Sequence, residues 1–332
     1  MIGKRRLEFS ARPARLVTPM QSEAPTRSTH RRRKTGEPVR LRFWGVRGSI
    51  PAPGPDTVRF GGNTSCAELR ADGEIIVFDA GSGLRLLGAE LMKEFGEKPI
   101  HLTLLLTHAH WDHIQGFPFF QPAYQPKNKI RIVGYEGARR SLQATLEVQM
   151  ESPYFPVSFH DLPGNIAIEE QKDLAFKVGK LAVRAAQTTH PGSTMGYRVQ
   201  TSAGAICYVP DHESCPGEYP EGLKQLITGA DVLVIDAQYT LEEYQHKIGW
   251  GHGCLDDVVR VACEAHVKRL YLFHHDPSHD DDFLERMVGR ARELAGDCDI
   301  EIDAAREGEQ IVLMPAAAQG DGTAGGARKT AQ

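Results

Sequence analysis

The stretch Thr107-His108-Ala109-His110-Trp111-Asp112-His113 sets three imidazoles and a carboxylate directly after the apolar run Leu102-Thr103-Leu104-Leu105-Leu106. A core that needed only packing has no use for four such groups at the end of a buried strand, because each must be desolvated. Histidine and aspartate are, by contrast, common ligands of first-row metals. His108 and His110, two apart in an extended turn, can point the same way and share one metal, while Asp112 and His113 face a neighbouring point. The chain runs on through Ile114-Gln115-Gly116, so a helix is expected to begin here with the Asp112 carboxylate near its favourable N-terminal end. Two adjacent metal positions are implied. Filling them takes about seven protein ligands and a bridging solvent, with one position left open. The motif supplies four, and the rest must come from elsewhere. Zinc is the expected metal, and a mixed His/carboxylate set also accepts manganese or iron.

Four more candidates each follow an apolar run: Asp79 after Ile75-Ile76-Val77-Phe78, His190 in Thr188-Thr189-His190-Pro191, Asp211 after Ile206-Cys207-Tyr208-Val209-Pro210, and His274 after Leu270-Tyr271-Leu272-Phe273. In this order, together with His-x-His-x-Asp-His, they resemble the metallo-β-lactamase superfamily over about residues 40 to 314. The resemblance implies that His108, His110 and His190 hold one metal, that Asp112, His113 and His274 hold the other, and that Asp211 bridges them. It further implies that Asp79 orients the site without ligating. His275 stands beside His274 and is the alternative last ligand; the resemblance favours His274. Asp280-Asp281-Asp282 reads as the cap and charged first turn of a helix.

The branch is indicated by residues outside the ligands. Gly45-Val46-Arg47-Gly48-Ser49-Ile50-Pro51 and Arg59-Phe60-Gly61-Gly62-Asn63-Thr64-Ser65 resemble the N-terminal loop and turn of ribonuclease Z-like phosphodiesterases, which implies a substrate loop carrying Gly48, Ser49, Asn63 and Ser65. Asp112 to Pro118 is similar both to that branch and to the small cyclic-phosphate phosphodiesterase of phosphonate breakdown. Gly249-Trp250-Gly251-His252-Gly253 resembles the branch's Gly-His-Ser/Thr element, with Gly253 in place of the hydroxyl residue. There the histidine lies at the site without binding metal, so His252 is expected to protonate the leaving group, with Asp112 the other catalytic residue.

The expected function is hydrolysis of a small phosphodiester, such as a cyclic nucleotide, by a metal-bridging hydroxide. The alternatives are attack on the carbonyl of a lactone, thioester or lactam, and endonucleolytic RNA processing. Ribonuclease Z enzymes resembling this core carry a protruding arm for transfer RNA. Only twenty residues separate His190 from Asp211, and the stretch from Tyr154 to Ile168 is short and little basic, so nucleic acid is the less favoured substrate. A binding protein without chemistry is disfavoured because all seven presumed ligands are present. A diiron oxidoreductase is disfavoured because no flavin domain is visible.

The elements that must position these residues alternate irregularly. Strands are expected at 40–44, 66–70, 74–79, 102–106, 130–134, 181–187, 195–201, 205–209, 232–236, 269–273 and 310–314, and helices at 83–95, 137–149, 220–229, 255–267 and 280–295. Many short strands with interspersed helices imply two packed sheets covered by helices. This agrees with the α+β fold, a four-layer αβ/βα sandwich, that the resemblance implies. The 332 residues, 41% hydrophobic and 25% charged, suit a soluble chain of one large domain or two small ones. Six cysteines without a C-x-x-C pair point to free thiols in a reducing cytoplasm. No apolar stretch reaches the roughly 20 residues that span a bilayer, so no membrane is expected as a partner. A homodimer is compatible with these features. Residues 1–36 hold ten Lys/Arg against Glu8 and Glu23 in a chain of net charge -4. A disordered basic tail is therefore expected over 1–38, read as a solvated extension in preference to an RNA-binding arm or an Arg-rich transit peptide. The folded unit is placed at 39–314, with a flexible tail over 315–332.

Overall fold

The computed structural model describes residues 36–135, 141–192, 194–214 and 219–315. The two expected tails therefore lie outside the described residues, apart from 36–38 and Pro315. Along the chain, β1 (Val39–Gly45), β2 (Cys66–Ala71) and β3 (Glu74–Phe78) form a meander. Then α1 (Leu84–Phe95) leads to β4 (His101–Leu105), α2 (Trp111–Ile114) to β5 (Lys129–Tyr135), and α3 (Leu142–Val148) to β6 (Asn165–Gln171). A second meander follows in β7 (Ala175–Val178), β8 (Leu181–Gln187), β9 (Met195–Thr201) and β10 (Gly204–Val209). After it come α4 (Glu221–Ile227), β11 (Val232–Asp236), α5 (Leu241–Tyr244), α6 (Leu255–Glu264), β12 (Arg269–Phe273), α7 (Asp281–Ala295), β13 (Glu301–Ala304) and β14 (Gln310–Leu313).

The strands make two seven-stranded sheets, ordered β14-β1-β2-β3-β4-β5-β6 and β13-β12-β11-β10-β9-β8-β7. Each is antiparallel up to one strand and parallel beyond it, changing at β3 in the first sheet and at β10 in the second. Strand alternation sorts the side chains into layers. Ile76 and Phe78 of β3 enter the core between the sheets with Val183, Tyr197, Tyr208, Val234 and Phe273. Val77, between them in sequence, faces outward to Leu84, Leu87 and Leu91 of α1. In the second sheet Leu233 and Ile235 face outward to Leu223, Val258, Ala262 and Met287 of α4, α6 and α7. The result is the expected four-layer sandwich. Strands covered on both faces must be apolar throughout, which is why β4, β10 and β11 stand out as continuous runs; each fully buried Leu, Val or Phe contributes about 1.5–3 kcal/mol.

Three strands were not expected from the sequence: β6, β7 and β13. Each pairs with one neighbour only, β5, β8 and β12 respectively. An edge strand buries less and tolerates charge, so Asn165–Gln171, Ala175–Val178 and Glu301–Ala304 carry no apolar run. The helix expected over 137–149 is observed as α3, with 137–140 outside the described residues. Asp280 caps α7, its carboxylate accepting from the Phe283 N–H at 2.6 Å. Asp281 accepts from the Arg59 and Phe60 N–H groups, and Asp282 pairs with the Arg59 guanidinium. The candidate residues gather at the carboxyl ends of parallel strands, where open α/β sheets place their ligands.

Candidate metal centre

Asp79 and His274, just past the ends of β3 and β12, adopt φ of 58° and 60°. The left-handed region costs a non-glycine residue roughly 1–2 kcal/mol, and here it aims both side chains inward. Asp79 is locked by its partners: its carboxylate accepts from the Thr107 N–H at 2.8 Å, the Thr107 hydroxyl at 3.0 Å and the Tyr208 hydroxyl at 3.1 Å. It also accepts from His113 Nδ1 at 2.8 Å.

The same device recurs around the site. His274 Nδ1 meets Gln238 Oε1 at 3.0 Å, and His190 Nδ1 meets the Gly251 carbonyl at 2.7 Å. A carboxylate and two amide oxygens only accept, so in His113, His190 and His274 a proton sits on Nδ1 and Nε2 faces inward. Against the effect of burial, the surrounding carboxylates push His113 and His274 up, so there a bound metal would take the place of a second proton on Nε2. There the donors converge. His113 Nε2 lies 3.3 Å from His274 Nε2 and 3.3 Å from Asp112 Oδ2, and His274 Nε2 lies 3.0 Å from Asp112 Oδ2. On the other side His190 Nε2 is 3.1 Å from His110 Nδ1. Asp211 stands between the groups, with Oδ1 at 3.9 Å from His108 Nε2, 3.7 Å from His190 Nε2 and 3.5 Å from His274 Nε2.

Such an array fits divalent cations. His108 Nε2 is buried without a hydrogen-bond partner, and Asp211 Oδ2 meets only His113 Nε2, at 3.0 Å. Ring nitrogens facing one another at about 3 Å repel unless a proton or a metal ion lies between them. The ligating atoms form compact groups that include His108/His110/His190, Asp112/His113/His274 and His108/His113/Asp211, each within 4.8 Å.

The charge states suit the same purpose. Burial, aided by His113, holds His108 well below the ordinary histidine range. Burial likewise lowers His110 and His190. These three are neutral and ready to donate lone pairs. Burial would raise Asp112 and Asp211, but His113 and His274 outweigh it at both, and each carboxylate is held below its usual range.

His252 sits beside this array with its Nδ1 2.9 Å from Asp236 Oδ2 and 3.8 Å from Asp211 Oδ1, its ring stacked 4.9 Å from that of His274. Asp236 was missed in the sequence, although the run Val232-Leu233-Val234-Ile235-Asp236 carries the strand-then-Asp signal that singled out Asp79. It is fully buried, and it also accepts from the His212 and Gln238 N–H groups. Gln238 and Glu213 were missed too, since an amide and a lone glutamate carry no local signal. Glycine at 253 has a steric reason: a Cβ there would lie 2.1 Å from the Asp236 carbonyl oxygen. His275 turns away, its Nε2 meeting the Ala305 carbonyl at 3.0 Å.

The loop residues divide. A Cβ on Gly48 would fall 2.3 Å from His274 Nδ1, and the Ser49 N–H donates to Asp112 Oδ2 at 2.8 Å. Asn63 and Ser65, expected on the substrate loop, are committed to the protein instead. Asn63 donates to Glu307 at 3.0 Å and accepts from Ser82 at 3.0 Å, while Ser65 is fully buried, its carbonyl accepting from Gly81. Arg47 is fully buried and joins the loop to the His274 segment by donating to the Gly61, Asp276 and His279 carbonyls.

Fold and donor set define a metal-dependent hydrolase. The family model described as Beta-lactamase superfamily domain matches residues 75–275, and the chain belongs to this family, on the ribonuclease Z-like branch of the metallo-β-lactamase superfamily. Among its relatives, ribonuclease Z of Haloferax volcanii is 25% identical over 333 residues, spanning 86% of this chain and 98% of its own. Ribonuclease Z of Metallosphaera sedula is 24% identical over 266 residues, spanning 68% and 86%. The crystal structure of a diphosphatase from the PhnP family superposes with a TM-score of 0.59 at 19% identity, covering 82% of this chain and 97% of that one. Short-form human tRNase Z gives 0.57 at 21%, covering 82% and 99%. These two structures speak to the fold alone. No helix among the described residues is long and apolar enough to cross a membrane.

Proposed function

We propose that this chain is a two-metal phosphodiesterase acting on small phosphodiesters such as cyclic nucleotides. His108, His110 and His190 hold one ion, Asp112, His113 and His274 the other, and Asp211 serves both. Two bound divalent ions, zinc by preference, would supply an activated water and stabilise charge on the reacting phosphate. The chain's own part is to fix the donors and to move a proton. Asp79, Gln238 and the Gly251 carbonyl set the tautomers of three ligating histidines. Asp236 accepts from His252 Nδ1, and in the doubly protonated ring Nε2 carries the second proton, which passes to the departing alkoxide and leaves a neutral imidazole. The observation that carries this reading is His108 Nε2, buried without a hydrogen-bond partner, within the ring of inward-turned nitrogens gathered around Asp211.

Small substrates are favoured because the described residues leave little chain between several site residues to build a separate arm. From His190 to Asp211, for instance, the chain runs through only the hairpin of β9 and β10. A ribonuclease reading has its own support in relatives called ribonuclease Z that align along most of the chain. The working unit is taken as 39–314, in a reducing cytoplasm, in keeping with the free thiols of the five cysteines among the described residues.

Elemental analysis and a panel of cyclic nucleotides, bis(nitrophenyl) phosphate, a lactone, a thioester and precursor transfer RNA test the proposal. The expected result is close to two metals per chain, lost together in Asp211→Ala, and turnover of the small phosphodiesters that survives deletion of residues 1–36. Efficient precursor cleavage by the truncated chain overturns the small-substrate reading, and faster turnover of the lactone or thioester overturns the phosphodiesterase reading.

A further inference from the structure

Glu213, two residues beyond Asp211, touches no donor atom of the centre, yet it ties together the segments that carry them. It is buried, and its carboxylate accepts from the Gly249 N–H at 2.6 Å, the Gly251 N–H at 2.9 Å and the Tyr244 hydroxyl at 3.1 Å. Its own N–H donates to the Thr189 carbonyl at 2.6 Å, next to His190. Gly249 and Gly251 have φ of 86° and 90°, a backbone that has little preference of its own and must be held from outside. A carboxylate accepting two backbone N–H groups is a strong means of holding it. What is held matters to the centre on both sides. The Gly251 carbonyl fixes the proton on His190 Nδ1, and a Cβ at Gly251 would come 2.4 Å from that nitrogen. His252 is the next residue and reaches Asp236.

We infer that Glu213 is a positioning residue that sets the 249–252 turn, and through it both the ligating orientation of His190 and the placement of His252. The inference rests on the proposed roles of those two histidines. A purely structural carboxylate would affect folding alone; this one couples metal affinity at the His108/His110/His190 position to proton delivery.

Glu213→Ala and Glu213→Gln test it, with zinc affinity measured by competition against a chromogenic chelator, leaving-group dependence measured on alkyl and nitrophenyl phosphodiesters, and thermal melts run alongside. In Glu213→Ala, one of the two zinc equivalents should weaken by about 10–100-fold while the other holds. Turnover of the alkyl ester should fall more than that of the nitrophenyl ester, whose leaving group needs no proton. Glu213→Gln keeps one acceptor oxygen and should be intermediate on both measures. Unchanged zinc affinities and an unchanged ester ratio in folded variants overturn the inference. So does an equal weakening of both zinc equivalents that tracks the loss in melting temperature. The zinc titration needs no substrate, so a selective loss of one equivalent supports the positioning role even if no phosphodiester is turned over, in which case only the proposed function fails.

Discussion

Replacing Gly48 with alanine adds one methyl group at a crowded point of the centre. The new Cβ would lie 2.3 Å from His274 Nδ1 and 2.5 Å from Cε1, where 3.4–4 Å is ordinary contact. Gly48 is not among the positive-φ glycines, so alanine is acceptable to the backbone and the effect is purely one of space. His274 cannot yield cheaply. Its ring is fully buried, stacked 4.9 Å from His252 and 5.4 Å from His113, and Nδ1 is held by Gln238. Either the ring or the 45–49 loop must move by about 1 Å or more, and movement of the loop would carry the Ser49 N–H away from Asp112. Overpacking of this kind costs about 1–3 kcal/mol of stability. A displacement of about 1 Å at reacting groups lowers turnover by roughly a hundredfold, and loss of the Gln238 contact weakens metal binding by about 10–100-fold. Chelator competition, turnover of bis(nitrophenyl) phosphate and a denaturant melt measure the three effects. A Gly48→Ala protein with the parent's metal affinity and turnover would refute the assignment of His274 and of the loop packed on it.

His252→Ala should keep both metals and lose about a hundredfold or more in turnover of esters with alkoxide leaving groups, and less with nitrophenolate; Asp236→Asn should show the same pattern more weakly, and loss of a metal from His252→Ala would make His252 a ligand. Gly289 lies in the interior of α7 with nothing within 4 Å of a Cβ, so Gly289→Ala should stabilise the fold by about 0.5–1 kcal/mol in urea titration and leave turnover alone; destabilisation would count against the placement of this helix face. Burial pushes the Cys207 thiol up to about 12, while in the unfolded chain it titrates near the ordinary thiol value of 9.0. Between these values the unfolded state releases a proton the folded state keeps, so this contribution is whole below about pH 9 and is lost as pH rises toward 12. Cys207→Ala should flatten the alkaline fall of stability in that window, and an unchanged slope would show that the thiol is not buried as described.

The donor set was legible in the sequence because metal ligands must be His or Asp and must stand where strands end. The run before His108, like those before Asp79, Asp211 and His274, is apolar because strands at the middle of a covered sheet are buried on both faces. The four-layer fold was legible for the same reason. Edge strands such as β6 and β13 were not, since burial on one side leaves little pattern. What the sequence by itself did not determine is which groups hold the ligands in place. Asp236, Gln238, Glu213 and the Gly251 carbonyl act through hydrogen bonds that exist only once β11, the 249–253 turn and the loop after β12 are brought together. An amide oxygen or a backbone carbonyl looks the same in the sequence wherever it sits. Tertiary structure also decided between neighbours: Gln238 and Asp112 meet His274, whereas His275 turns to the Ala305 carbonyl, the left-handed backbone at His274 setting the two side chains apart. It likewise turned the Asn63 side chain to Glu307 and Ser82 and buried Ser65 within the turn between β1 and β2.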